Sequence, residues 1–88
     1  MTELQEFIKK RPHLIWYVKD YAALDERSIV EHVLNYGTWE DFKEMIRIIG
    51  IGRAAQVFRE SAFRPRTNYY PEVRRYFDLY FNAHTHTS

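Results

Sequence analysis

Apolar residues recur every three or four positions through most of this chain of 88 residues, which is the spacing of amphipathic helices. At the start of the chain, Leu4, Phe7 and Ile8 share one side of a short helix. Thr2 and Gln5 have the spacing of a capping box, in which each side chain binds the backbone N–H of the other residue. The pattern therefore predicts a first helix that begins near Thr2.

The stretch after the first helix gives a mixed signal. Pro12 ends that helix, because the residue before a proline is pushed away from helical backbone angles. Residues 13–21 hold enough aromatic and β-branched side chains for a strand, yet the chain offers no second strand to pair with it. We therefore predict a short helical turn followed by a loop, with Trp16 buried.

A second and a third helix are predicted on either side of Gly37, which we expect in the left-handed conformation that often ends a helix. Asp25 or Ser28 can cap the second helix. Its apolar side chains share one side and are Ile29, Val30, Val33, Leu34 and Tyr36. Thr38 caps the third helix, which runs over 39–49. Its buried stripe is predicted to consist of Trp39, Phe42, Met45, Ile46 and Ile49.

Two more helices complete the predicted fold. A break at 50–52 precedes a fourth helix over 53–63, and the Arg-Pro-Arg sequence at 64–66 ends it. The side chains through which the fourth helix packs are mostly small and are Ala54, Ala55, Phe58 and Ala62. Thr67 or Asn68 then caps a last helix, with Pro71 tolerated in its first turn.

The predicted architecture is an all-α fold, a compact bundle of about five short helices. A chain of this length forms one domain, which we place at residues 1–83. Residues 84–88 show no apolar pattern, and we expect them to form a frayed C-terminal tail.

Composition narrows the class of protein. The apolar fraction of 45% is too high for a disordered chain. The absence of cysteine excludes a disulfide framework, a thiolate zinc site and a cysteine nucleophile. No apolar run is long enough to cross a membrane, and the first residues lack the pattern of a signal peptide. We therefore expect a cytoplasmic protein with no membrane partner.

The near-neutral net charge of +1 conceals an asymmetry. Acidic side chains outnumber basic ones in residues 1–44, whereas residues 45–88 carry seven arginines against three acids. Arginine makes forked contacts to carboxylate and phosphate groups better than lysine does. The second half of the chain is therefore expected to face an acidic protein or a nucleic acid.

Catalytic and metal-binding motifs do not stand out in the sequence. Gly50 and Gly52 form a bare GxG without the rest of a phosphate-binding loop, and no serine lies in a nucleophile-elbow motif. His84 and His86 lie in the predicted tail without further ligands around them. We expect no catalytic residue, no cofactor and no metal site, and hence a protein that is not an enzyme.

The last helix carries the strongest functional signal, because its apolar arc spans about 200° and is wider than one packing stripe. The arc consists of Tyr69, Tyr70, Val73, Tyr76, Phe77, Leu79, Tyr80, Phe81 and Ala83. Under one interpretation the whole arc is core. Under the other, its centre (Tyr69, Val73, Tyr76 and Tyr80) faces the bundle, while its margin and the nearby arginines bind another protein or a second copy of the chain.

The second interpretation is our leading hypothesis, since tyrosine and arginine are enriched at interface hot spots. The predicted partner-binding residues are Arg66, Tyr70, Arg74, Arg75, Phe77 and Phe81. The alternative function is DNA-binding transcriptional regulation by a helix-turn-helix-like pair at 39–63. In that case the nucleic-acid contacts come from Arg53, Gln56, Arg59 and Arg64.

Short segments spread through the middle of the chain carry a family resemblance. They are Leu14-Ile15-Trp16, IVEHVLNYG at 29–37, WEDF at 39–42, VFRES at 57–61 and RTNYY at 66–70. In these segments the chain resembles short bacterial proteins of unassigned function that look like antitoxins of nucleotidyltransferase-type abortive-infection toxins. The resemblance implies a neutralising role with a toxin as protein partner. It transfers no functional residue, since Ala62 follows the serine where the pattern has arginine.

Overall fold

The computed structural model describes residues 3–14, 24–65 and 67–85, which form five α-helices and one short 3-10 turn. The helices are α1 (Glu3–Lys9), α2 (Glu26–Tyr36), α3 (Trp39–Ile49), α4 (Ile51–Ala62) and α5 (Pro71–Thr85), with the 3-10 turn at Pro12–Leu14. The predicted all-α bundle is confirmed, and the described residues contain no strand. The expectations for Thr2, Trp16, Arg66 and His86 lie outside the described residues.

Helix α2 packs against all four other helices, α4 packs against α2, α3 and α5, and α1 packs against α2 and α3. As predicted, Ala54, Ala55 and Ala62 are buried on α4, where their small size lets neighbouring backbones approach closely. Phe58 on the same helix is fully buried. The other large side chains that are fully buried are Phe81, Ile8, Leu14, Ile29, Met45, Val30 and Val33.

The capping residues of α2 and α3 follow the sequence closely. The side chain of Asp25 accepts a hydrogen bond from the backbone N–H of Ser28 at 2.8 Å and so caps α2. Thr38 caps α3 in a complete capping box with Asp41. Both carboxylates also lie at the positive end of a helix dipole, which favours them further. The sequence therefore predicted the starts of both helices correctly.

The two glycines beside α3 have roles that differ from the prediction. Gly37 was expected to be left-handed, but its φ of −78° is ordinary extended backbone. A Cβ there would lie 2.7 Å from the carbonyl oxygen of Val33, so close approach is what favours glycine. The left-handed position is Gly50, with a φ of 85°. Gly50 alone separates α3 from α4, which begins at Ile51 rather than at the predicted residue 53.

Helix α5 also differs from the prediction at both ends. Neither Thr67 nor Asn68 caps it; the backbone carbonyl of Tyr70 accepts the first helical hydrogen bond from Arg74 at 2.9 Å. At the other end the helix continues to Thr85, so residues 84 and 85 are helical and do not belong to a frayed tail. The Thr85 hydroxyl donates to the carbonyl of Phe81 within this last turn.

The inward face of α5 corrects the predicted division of its aromatic arc. Phe77 and Phe81, predicted to bind a partner, are 8% and 0% exposed and belong to the core. Tyr76, predicted to face the bundle, is 52% exposed. Apolar periodicity treats phenylalanine and tyrosine alike and cannot tell which of them faces the bundle; Tyr69, predicted to face it, is indeed buried at 4% exposure. The ring of Phe81 lies 5.3 Å from that of Phe58.

This placement predicts effects of very different size for two residues that are two positions apart in the sequence. Phe81→Ala should lower the free energy of unfolding by about 3–5 kcal/mol, because it removes a fully buried ring from the core. Leu79→Ala, at an exposed position of the same helix, should change it by less than about 0.5 kcal/mol. Chemical denaturation followed by circular dichroism measures both. Equal effects of the two substitutions would contradict this orientation of α5.

Candidate functional site

Helix α5 presents a second apolar stripe beside the one that packs on the core, and its Tyr80 is partly buried against the core. Tyr76, Leu79, Tyr80 and Ala83 stand at i, i+3, i+4 and i+7, so they share one face of the helix. Leu79 is 65% exposed, more than any other large apolar side chain among the described residues. Trp39, at the first position of α3, lies beside this stripe. We name these five residues the outer aromatic face.

Contacts between rings make the outer aromatic face continuous from α3 to α5. The ring centroids of Trp39 and Tyr80 are 5.6 Å apart in an edge-to-face arrangement. Tyr80 lies between Tyr76, at 6.3 Å, and the ring of His84, at 4.2 Å. Edge-to-face and offset arrangements at these distances are favourable for aromatic rings. The exposed rings therefore support one another and form a contiguous surface.

Trp39 corrects a further prediction. Its side chain was expected in the core, but it is 46% exposed. One face of the indole stacks on the buried ring of Phe42, with centroids 4.9 Å apart. An indole half-buried in this way has few free rotations and still presents a wide apolar surface. Because ordering a rigid ring costs little entropy, such a residue is well suited to binding.

The position of Trp39 depends on the N-terminal cap of α3. The hydroxyl of Thr38 accepts a hydrogen bond from the N–H of Asp41 at 3.1 Å, and the carboxylate of Asp41 accepts one from the N–H of Thr38 at 3.0 Å. These reciprocal bonds fix the backbone on both sides of Trp39. The capping box thus orients the indole toward α5.

Asp41 also connects this cap to the N-terminal part of the chain. The Arg11 guanidinium donates to the carboxylate at 2.9 Å, and the His13 ring nitrogen Nε2 lies 3.2 Å from it. Arg11 is itself held by the carbonyl of Phe7, at 3.1 Å, and lies 4.0 Å above the Phe7 ring. The start of α3 is therefore tied to α1 and to the 3-10 turn.

The contacts of the Asp41 carboxylate lower its pKa. Burial of the carboxylate raises its pKa, but the hydrogen bonds from Thr38, His13 and Arg11, together with the Arg11 charge, outweigh burial. They lower the pKa from 3.8 to about 2. The ionised form of Asp41 is therefore the one that the fold stabilises.

The predicted partner-binding residues do not form one surface. Phe77 and Phe81 are in the core, and Arg66 lies outside the described residues. The hydroxyl of Tyr70 is 3.0 Å from that of Tyr36, and the guanidinium of Arg74 lies 5.9 Å from the ring of Phe63. Arg75 is exposed and lines a depression of about 450 Å³ with Pro71, Glu72, Tyr76 and Leu79. Of the predicted set, Arg75 therefore adjoins the outer aromatic face.

The residues of the nucleic-acid alternative are largely engaged within the chain. Arg53 donates to Glu26 at 2.6 Å and to Gln56 at 3.2 Å, and Arg59 donates to Asn82 at 3.0 Å. Arg64 is exposed. The ion pair with Glu26 offsets the charge that phosphate binding by Arg53 needs. In addition, Gly50 alone joins α3 to α4, whereas a helix-turn-helix has a turn of about three or four residues.

Sequence reasoning missed most of the outer aromatic face, although part of the signal was present. The spacing of Tyr76, Leu79, Tyr80 and Ala83 is a complete helical stripe that can be read from the sequence. The contribution of Trp39 could not be read in this way, because it depends on how α3 packs against α5.

The part of the chain that the structure describes offers neither a metal site nor a membrane-spanning helix. Among residues 3–14, 24–65 and 67–85, no group of three or more histidine, aspartate or glutamate side chains is placed to hold a metal ion. None of the helices in this part of the chain combines the length and apolar character needed to cross a bilayer. Comparison with protein-family models, curated proteins and solved structures found no match.

The Asp41 network predicts how stability changes with acidity. Because its folded pKa is lowered, Asp41 stabilises the fold above about pH 4, and this contribution is lost as the pH falls to about 2. Asp41→Asn should therefore lower the free energy of unfolding by about 2 kcal/mol at neutral pH, with the difference shrinking in acid. Denaturant titrations across this pH range measure it.

Glu40→Gln is the matched control for that measurement. Glu40 lies beside Asp41 in the first turn of α3 and makes an exposed ion pair with Lys43 at 3.3 Å. Its loss should cost less than about 0.5 kcal/mol at any pH, because exposed ion pairs contribute little. A wild-type advantage over Asp41→Asn that stays constant down to about pH 2 would exclude the carboxylate as its source.

Proposed function

We propose that this chain is a non-catalytic protein-interaction module whose outer aromatic face binds an amphipathic helix of another protein. The observation that carries the proposal is the second apolar stripe of α5. The inner stripe of α5 supplies the contacts that hold the helix on the bundle. Leu79 takes no part in these contacts, since its side chain is largely exposed. A contiguous exposed apolar patch of this kind is typical of an association surface.

The chemistry of the face supports a protein as the ligand. Tyrosine and tryptophan are enriched at binding hot spots, since they bring a large apolar area with few rotatable bonds. Arg75 borders the face and has no acidic partner among the described residues. An acidic side chain on the bound helix, one turn from its apolar stripe, would pair with Arg75 and give the complex a preferred orientation.

We further propose that the module is a cytoplasmic antitoxin-like subunit and that its partner is a nucleotidyltransferase-type toxin. The support for this step is the resemblance of the segments between Leu14 and Tyr70. One of them, WEDF at 39–42, contains both Trp39 and the capping carboxylate of Asp41. This segment of the resemblance therefore lies at the edge of the outer aromatic face.

The proposal places a nucleotidyltransferase-type toxin beside the gene, and co-purification of the chain with such a toxin tests it. Leu79→Lys should weaken the complex at least tenfold, equivalent to about 1.4 kcal/mol, because it places a charge in the middle of the apolar contact. The same substitution should leave the circular dichroism spectrum unchanged, since the side chain is exposed. Titration of the tagged toxin with the wild-type chain and with the variant measures the two affinities.

Phe63→Lys is the matched control, since Phe63 is a half-exposed aromatic residue at the end of α4 and outside the outer aromatic face. It should bind the toxin as the wild type does. Equal binding by Leu79→Lys and the wild type would show that the face is not the binding surface. Absence of a complex with the wild-type chain would refute the antitoxin assignment.

A further inference from the structure

We infer that the outer aromatic face also binds the same face of a second copy of this chain, with the two α5 helices antiparallel. The inference rests on the proposed function, because it names an occupant for the same surface. It follows that the second copy and a different protein partner exclude each other. The self-associated form then covers the apolar face while no other partner is bound.

The sizes of the side chains along the stripe make it self-complementary. From its first residue to its last, the stripe runs from the bulky Tyr76 through Leu79 and Tyr80 to the small Ala83. An antiparallel pair centred between residues 79 and 80 places Tyr76 of each copy opposite Ala83 of the other. A large side chain meets a small one at both ends, and the middle of the contact is filled by leucine and tyrosine. This is the reciprocal arrangement that a two-fold interface requires.

Parallel pairing lacks this match. It would place Tyr76 beside Tyr76 at one end of the contact and Ala83 beside Ala83 at the other, leaving one end crowded and the other open. It would also align the two helix dipoles, whereas antiparallel helices oppose them. In the antiparallel pair, Arg75 lies along the last turns of the other α5, the negative end of that dipole.

Trp39 extends the contact on one side of the stripe. Its ring packs against Tyr80, so it lies on that flank of α5. A two-fold axis brings like flanks of two antiparallel helices together, and the indoles of both copies therefore border the same side of the contact. The opposite flank carries Arg75 and remains polar.

The small exposed area of the outer aromatic face predicts a weak association. A tyrosine or tryptophan side chain has about 150–250 Å² of surface, so half-exposed Tyr76 and Trp39 each offer about 100 Å². With Leu79, Tyr80 and Ala83, the face amounts to about 300–500 Å² per copy, below the roughly 800 Å² per partner of a standard stable interface. The dimer should therefore be weak, with a dissociation constant of about 10–500 μM, and readily displaced.

Single-cysteine variants test the arrangement, because the natural chain contains no cysteine. A disulfide needs Cα atoms within about 7 Å of each other. Under mild oxidation, Leu79→Cys should form a disulfide-linked dimer, since residue 79 lies next to the two-fold axis. Tyr76→Cys alone and Ala83→Cys alone should not, because each is displaced about 10 Å along the axis from its own copy. A mixture of these two variants should cross-link.

Phe63→Cys serves as the control for random collision and should stay unlinked at the same protein concentration. Cross-linking of Tyr76→Cys with itself would overturn the antiparallel arrangement. Sedimentation equilibrium of the wild-type chain up to about 500 μM tests the association without any substitution, and a monomer throughout would overturn the inference. Leu79→Lys should be monomeric where the wild type is not.

The two proposals can fail separately. A monomeric wild-type chain that still binds the toxin through Leu79 overturns the second copy and leaves the proposed function standing. A dimer that cross-links as expected, with no toxin complex, supports the second copy and overturns the antitoxin assignment.

Discussion

The packing of three phenylalanine rings is the contact on which the rest of this small fold depends. Phe81 of α5 lies 5.3 Å from Phe58 of α4 and 6.2 Å from Phe42 of α3, so one residue joins three helices. In a domain this short few residues are fully buried, and each accounts for a large part of the free energy of folding. These rings also fix the rotation of α5 about its own axis. The exposure of the adjoining stripe of α5 is therefore a consequence of core packing.

A second set of contacts connects the N-terminal segment to the outer aromatic face. Arg11 and His13 bind the carboxylate of Asp41, and Asp41 in turn closes the cap that fixes the backbone around Trp39. Each connection has a separate cause: an ion pair, a capping box and an aromatic stack on Phe42. The outer aromatic face is thus supported from below by the core and from the side by α1. Such support keeps its rings in place, which would lower the entropy lost in the binding that we propose.

The parts of this fold that could be predicted are those set by local chemistry. Asp25 and Thr38 mark helix starts because a side-chain oxygen there satisfies a free backbone N–H, and the alanines of α4 mark close packing because of their size. The errors concern residues whose position depends on distant parts of the chain. Trp39 and Tyr76 were assigned to the core, and Phe77 to the surface, because a periodic pattern gives the width of an apolar arc and not which half of it meets the neighbours. Gly37 shows the same limit, since its need for glycine comes from the Val33 carbonyl and not from its own φ.

The two apolar stripes of α5 affect how this helix docks on the bundle during folding. Before the helix docks, either stripe can settle against the rings of Phe42 and Phe58, and the two dockings differ by a rotation of less than half a turn. The reversed docking would bury Tyr76 together with its hydroxyl, whereas the native docking buries Phe77 and Phe81 of α5, whose rings carry no polar atom. Burial of the Tyr76 hydroxyl thus disfavours the reversed docking. The stripe that we propose for association is also a source of local frustration in the folding of α5, and burial of the phenylalanines at 77 and 81 resolves it.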